Sequence, residues 1–226
     1  MNTYLDILNK YHLEPTNPSL FEEAFTHSSY VHEHEECKDY ERIEFVGDGV
    51  LDLVVAIIIF TEYPALDQGI MTKLRASIVC GSSLARYARK LNMGSMIRLG
   101  KGEETSNGRD SNKILEDVFE AFIGACYLNF GYEVVFNIVY DIMYDDIKHV
   151  DLDTITDYKS KLQEYVQADR RGTIVYKVIR EEGSPQNKKF FVEAIYENMI
   201  LGFGEGSSKK KAEQEAARDA LKKRAK

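Results

Sequence analysis

The sequence predicts two domains: an all-α domain followed by an α+β domain of order α-β-β-β-α. Three observations predict this. Apolar residues recur at helical spacing up to about residue 150, then switch to the alternating period of strands. A short polar stretch, "HVDLDTITD", separates the two patterns. The charge also changes sign there. Residues 155–226 carry 16 Lys+Arg against 11 Asp+Glu, whereas the rest of the chain carries 13 against 26. The expected boundaries are 1–148 for the first domain, 149–154 for the linker and 155–226 for the second.

The elements follow in order. "SLFEEAFTH" reads as a short amphipathic helix with Ser19 as N-cap, and "YVHEHEECKDY" as a polar loop. Residues 41–61 form a long buried helix, ended by Tyr63-Pro64. "GIMTKLRASIVCGSSLARYARKLN" holds two helices broken near Gly81. "LGKGEETSNGRDSN" is rich in Gly and polar residues and reads as a flexible loop. "KILEDVFEAFIGACYLNFG" is a second long apolar helix stopped by Gly131, and "YEVVFNIVYDIMYDDIKHV" a last one. Beyond the linker, "DYKSKLQEYVQAD" is helical. "GTIVYKVIREEG", "KKFFVEAIYEN" and "MILGFGEG" alternate as strands, with turns at 183–185 and 197–198. "SSKKKAEQEAARDALKKRAK" is a helix capped by Ser207 or Ser208.

Composition excludes several classes. At 44% hydrophobic residues the chain can build a core, which a disordered chain could not. Three cysteines without CxxC spacing exclude a disulfide framework and a zinc knuckle, and fit a reducing cytoplasm. The first 15 residues lack the basic start and apolar run of a signal peptide, and no run is long enough to span a membrane. The net charge of −8 argues against a nucleic-acid partner, but the basic second domain reverses that impression.

The candidate chemistry lies in "ERIEFVGDGVLDLVVAIIIF". Glu41, Glu44 and Asp48 stand at i, i+3 and i+7, on one face of a helix. Asp117 and Glu120 repeat the i, i+3 pattern in the second apolar helix. Ionised carboxylates are unfavourable in a dry site unless something offsets them, and the only basic residues near in sequence are Arg42 and Lys113. Carboxylates offered inward from two helices suit a hard cation such as Mg²⁺, which prefers oxygen ligands. The same spacing also describes a solvated acidic stripe, and by itself it gives no reaction. Asp52 reads as solvent-facing, and so does Glu116, placed on a face other than that of Asp117 and Glu120.

Several motifs carry a resemblance. "ERIEFVGDGVL" resembles the ribonuclease III signature, usually ERLEFLGDAVL; "FTHSSY", "TKLRASIVCGSSLA" and "KILEDVFEAFIGACYL" resemble that family's flanking segments. The α-β-β-β-α tail resembles a double-stranded-RNA-binding domain, so the likeness spans nearly the whole chain. It implies a Mg²⁺-dependent endoribonuclease, with Mn²⁺ able to substitute and no small-molecule cofactor. The implied product ends are 5′-phosphate and 3′-hydroxyl with short 3′ overhangs. The implied partners are double-stranded RNA and a second copy of the chain, with no membrane, and the implied substrates are ribosomal RNA precursors and structured mRNA. It makes Glu44, Asp117 and Glu120 metal ligands, Asp48 and Glu120 the catalytic pair, and Glu41 a supporting acid. Phe45 is either a dimer contact or a core residue, and Gly47 permits close helix packing. His27 reads as a structural hydrogen-bonding residue; Lys73, Arg75 and Lys113 read as solvated. Two positions depart from the family pattern: Gln68 stands for a usual Glu, and Tyr40 for a usual Asn. The alternative function is a catalytically inactive protein that binds double-stranded RNA. Such a protein should have lost one of the four central acids, and all four are present.

In the tail, Gln163, Glu164 and Gln167 resemble minor-groove contacts on the first helix. The loop "GSPQNKKF" supplies Gln186 and Asn187, with Gln186 where the family usually has His. Ser208, Lys209, Lys210 and Lys211 open the last helix. Lysines there oppose the helix dipole but attract phosphate, so their placement carries information.

Overall fold

The computed structural model describes residues 3–152, 156–169, 172–184 and 187–224. It divides into two compact units, Met1–Ile155 and Thr156–Lys226. The first is helical: α1 Tyr4–Lys10, α2 Pro18–Ala24, α3 Ser28–Val31, α4 Glu41–Glu62, α5 Gln68–Ile78, α6 Gly81–Lys90, α7 Lys101–Thr105, α8 Asn112–Phe130 and α9 Tyr132–Lys148.

The centre of this unit is the pair α4 and α8. Val54, Val55, Ile58 and Ile59 of α4 and Val118, Phe119, Phe122 and Ile123 of α8 are fully or almost fully buried. Each such side chain contributes roughly 1.5–3 kcal/mol relative to exposure. The two helices approach at Gly47 and Gly124. A Cβ at Gly47 would lie 1.8 Å from the Glu120 carbonyl oxygen, and one at Gly124 would lie 2.3 Å from that of Ile43. Only glycine permits this separation, and it fixes how close the acids of the two helices can come.

Two local expectations are corrected. Asn17, not Ser19, is the N-cap of α2, because Pro18 takes the first helical position; Ser19 Oγ donates to Asn17 Oδ1 at 2.7 Å. The stretch read as a flexible loop contains α7 and a 3₁₀ turn, Gly108–Asp110. Distant partners hold it. Lys101 N donates to Glu33 Oε1 at 2.8 Å, and Arg109 Nη1 donates to the carbonyls of Gly94 and Ile97 at 2.9 and 2.8 Å.

The second unit holds α10 Tyr158–Asp169, β1 Val175–Glu182, β2 Lys189–Tyr196, β3 Met199–Gly206 and α11 Lys209–Arg224. The strands form one antiparallel sheet of order β1-β2-β3, with a bulge between Val178 and Arg180. Its core includes Leu162, Val166, Val192, Ala194 and Tyr196, closed by Ala212, Ala216 and Ala220 of α11. Gly204 lets β3 sit directly under α11, where a Cβ would meet the Ala212 carbonyl oxygen at 2.1 Å.

Glu197 and Asn198 connect β2 to β3, with φ of 47° and 66°. Asn tolerates this left-handed region; Glu does not, at roughly 1–2 kcal/mol. Glu197→Gly is therefore expected to stabilise the second unit by about 0.5–1 kcal/mol. Urea unfolding followed by a probe in that unit would show the midpoint rise.

Candidate active site

Helix α4 starts at Tyr40, whose carbonyl accepts from the amides of Ile43 and Glu44 at 2.9 and 2.8 Å. Glu44 therefore sits in the first turn, beside α8. Asp117 is 6% exposed and Glu120 9%, and Glu44 is half-buried. One carboxylate oxygen from each of the three lies within 4.8 Å of the others.

This concentration of negative charge alters the acids themselves. Burial, then the Asp117 charge, pushes Glu44 up to about 7; Glu41 and Glu116 add to the rise and Lys113 opposes it. Burial, then the Asp48 charge, pushes Glu120 up to about 8, with Glu44, Glu116 and Asp117 adding. Asp117 has two different oxygens. Its Oδ2 accepts from the Tyr40 hydroxyl at 3.3 Å. Its Oδ1 is buried and meets the Lys113 ammonium at 2.7 Å, with no other partner among the described residues. An all-oxygen donor set and mutually repelling carboxylates, which the exposed Lys113 ammonium only partly offsets, together fit a hard divalent cation.

Of the acids predicted from sequence, Glu44, Asp117 and Glu120 are brought together. Asp48 is solvent-exposed and outside that trio, yet it is the leading charge acting on Glu120. It also lines an open cleft of about 360 Å³ with Phe45, Leu53, Tyr127 and Tyr132. Glu41 is exposed and acts on Glu44 from outside. His27 is structural: its Nδ1 accepts from the Ser29 amide at 3.1 Å and lies 2.8 Å from Ser29 Oγ. Arg75 Nε is 3.7 Å from Asp52 Oδ1, an exposed pair, and Gln68 is exposed at the start of α5.

Two readings need correction. Glu116 does not face away: its charge raises both Glu44 and Glu120, and its carboxylate occupies the space above Gly81. Glu116 and Glu120 are i, i+4 neighbours, a spacing that puts them side by side on a helix. Lys113 is more than a solvated cation, because it pairs with Asp117 one turn on. In the sequence Tyr40 stands out only as a departure from the family pattern. Its contact spans 77 residues and leaves no periodic signal.

The second unit places its predicted residues as follows. Glu164, Gln167, Asn187, Ser208, Lys209, Lys210 and Lys211 are exposed. Gln163 is half-buried: its Nε2 donates to the Gly172 carbonyl at 2.9 Å and its Oε1 accepts from the Ile174 amide at 3.1 Å. One N–H and one lone pair of that amide remain. Ser208 Oγ accepts from the Lys211 amide at 3.2 Å, which settles the cap on Ser208. Lys209 Nζ is 3.5 Å from Glu181 Oε1. Lys210 and Lys211 have no carboxylate partner among the described residues. Gln186 lies outside the described residues.

Residues 17–147 match the family model described as ribonuclease-III-like, and residues 158–224 match the double-stranded RNA binding motif. Proteins named ribonuclease 3 from Bacillus cereus (strain AH187) and Bacillus anthracis (strain A0248) are each 48% identical over 210 residues, which is 92% of this chain and 86% of theirs. The crystal structure of the nuclease domain of ribonuclease III from Campylobacter jejuni is similar with a TM-score of 0.59 at 32% identity, covering 67% of this chain and all of that one. A second structure of that nuclease domain, whose subject is flexibility in a region involved in dimer formation, has a TM-score of 0.57 at 34% identity; it covers 62% of this chain and 94% of that one. With its helical nuclease domain followed by a double-stranded RNA binding motif, the chain belongs to the ribonuclease III family and is an endoribonuclease.

Proposed function

We propose that the chain is a Mg²⁺-dependent endonuclease of double-stranded RNA, with Mn²⁺ able to substitute, leaving 5′-phosphate and 3′-hydroxyl ends. The observation that carries this reading is the convergence of Glu44, Asp117 and Glu120 within 4.8 Å. These three would hold the cation, and Glu41 would support Glu44 from outside. A bound Mg²⁺ supplies Lewis-acid activation of water and stabilisation of charge on the leaving 3′ oxygen. Asp48, solvent-facing beside Glu120, orients the attacking water. The water oxygen bonds to phosphorus and gives up its proton to solvent, the bond to the 3′ oxygen breaks, and that oxygen takes up a proton from solvent. With a cation held by Asp117, Lys113 would be free to meet phosphate.

The chain acts as a homodimer in this reading, each subunit cutting one strand to give short 3′ overhangs. Support comes from an apolar strip on α4, where Phe45 is 81% exposed and Phe60 70%, with Leu53 and Ile57 between them. The RNA-binding residues are Gln163, Glu164, Gln167, Gln186, Asn187 and Ser208 to Lys211, and the reading takes A-form shape rather than sequence as their target. Substrates are ribosomal RNA precursors and structured mRNA, and the compartment is the cytoplasm. Three free cysteines support the compartment, and no described helix is long and apolar enough to cross a membrane.

The test is a long, perfectly paired RNA incubated with the full chain and Mg²⁺, beside an EDTA control. Cleavage confined to the Mg²⁺ lane, with ends that a phosphatase converts from 5′-phosphate to 5′-hydroxyl, is expected. Tight binding without cleavage in any lane would overturn the reading. A second expectation concerns affinity. Replacing Lys210 and Lys211 together by Ala should weaken binding to all paired sequences alike. It should also lower the slope of log K against log salt by about 2. An unchanged slope would remove these lysines from the phosphate contacts.

A further inference from the structure

We propose that Tyr40 is a positioning residue for the acidic site: its hydroxyl fixes the Asp117 carboxylate while its backbone begins the helix that carries Glu44. This rests on the cation-holding reading above.

Tyr40 is anchored on every side. It is 4% exposed. Its amide donates to the Thr26 carbonyl at 3.0 Å, and its own carbonyl starts the hydrogen-bond ladder of α4 at Ile43 and Glu44. Its ring leans against His27, centroids 5.8 Å apart, and the His27 amide is tied to the Arg98 carbonyl at 3.0 Å. From this fixed base the hydroxyl donates to Asp117 Oδ2 on α8 at 3.3 Å. One residue thus sets the start of one acid-bearing helix and holds a ligand of the other.

The contact also orders the two oxygens of Asp117. With Oδ2 occupied, rotation of the carboxylate is checked, and the buried Oδ1, met only by the exposed Lys113 ammonium among the described residues, would be the oxygen open to a cation. Lys113 cannot do this work. It reaches Oδ1 from a side chain that is 69% exposed, and a cation at that oxygen would displace it. A phenol keeps its proton up to about pH 10. It therefore remains a donor throughout the working range. Groups that hydrogen-bond a ligating carboxylate typically change metal affinity by 10–100-fold. The 3.3 Å length of this bond places the expectation at the lower end, about tenfold.

The experiment is calorimetric titration of Mn²⁺ into the full-length protein without RNA, comparing wild type with Tyr40→Phe. Phe keeps the ring and removes only the donor. About tenfold weaker Mn²⁺ binding by a variant with a wild-type circular dichroism spectrum is expected. In cleavage assays kcat should fall at low Mg²⁺ and recover as Mg²⁺ is raised, with KM for RNA unchanged. Equal Mn²⁺ affinity of the two proteins would overturn the role of Tyr40 while leaving the cation site standing. A wild type that binds no Mn²⁺ would overturn both. If Tyr40→Phe does not fold, a fluorotyrosine placed at position 40 alone replaces it. Its fluorine resonance should shift on Mn²⁺-free Mg²⁺ addition, and a resonance that does not move would overturn the proposal.

Discussion

Glu120→Gln is expected to reduce cleavage of double-stranded RNA by about 10³-fold or more while leaving RNA affinity within about threefold. The loss follows from position: Glu120 belongs to the acidic trio and has Asp48 as its leading charged neighbour. Binding survives because the matched RNA-binding motif, residues 158–224, holds none of these acids. The same variant carries a second, opposite expectation. In the cation-free protein Glu120 titrates at about 8 instead of the ordinary 4.5. Between those values the folded protein keeps a proton that the unfolded chain has released. The folded state therefore binds more protons, and its stability falls as pH rises through that window. Glu44, pushed up to about 7, contributes in the same direction. Glu120→Gln lacks the Glu120 part of this loss, so without divalent cation at pH 8 it should melt above wild type; near pH 4 the two should converge. Adding Mg²⁺ should raise the wild type more than the variant. Melting curves at the two pH values, with and without Mg²⁺, check this. A variant less stable than wild type at pH 8 without cation would mean that Glu120 stabilises the fold and does not strain it.

The acids were legible in sequence because helices convert spacing into proximity. Glu44 with Asp48, and Asp117 with Glu120, are local patterns on strongly apolar helices, and the core period locates those helices. What joins the two sets is not local. Nothing at position 40 announces a hydroxyl aimed at Asp117, and nothing in "LGKGEETSNGRDSN" announces the Glu33 carboxylate and the Gly94 and Ile97 carbonyls that order it. Propensity describes that stretch as a loop, and tertiary hydrogen bonds override it. Glu116 and Lys113 are different: each stands four residues before a site acid, so i, i+4 spacing already carried the information. In the second unit the strand alternation and the two-residue turn were readable. The ties from Gln163 to Gly172 and Ile174 were not, because an exposed-looking amide gives no sign that it caps a strand.

Two glycines two residues apart on α4 should respond in opposite directions to the same substitution. At Gly47 a Cβ would lie 1.8 Å from the Glu120 carbonyl oxygen and 2.9 Å from the Gly124 amide nitrogen. Both obstacles are helix backbone and cannot rotate aside. Gly47→Ala must therefore push α4 away from α8, opening the contact on which the core depends. We expect a loss of about 3 kcal/mol or more, at or beyond the upper end for overpacked cores. Where the variant still folds, a shift of about 1 Å between the two acid-bearing helices should reduce kcat about 10²-fold. At Gly49 a Cβ meets nothing within 4 Å. There Ala only removes the backbone entropy of a glycine in mid-helix, so Gly49→Ala should stabilise by about 0.5–1 kcal/mol. The signature that this helix resembles carries Ala at that position. Denaturant unfolding of both variants measures the contrast, and one assay of each gives the activity. If Gly47→Ala proved as stable and as active as wild type, the spacing of α4 and α8 would not be what brings Glu44 to Asp117 and Glu120.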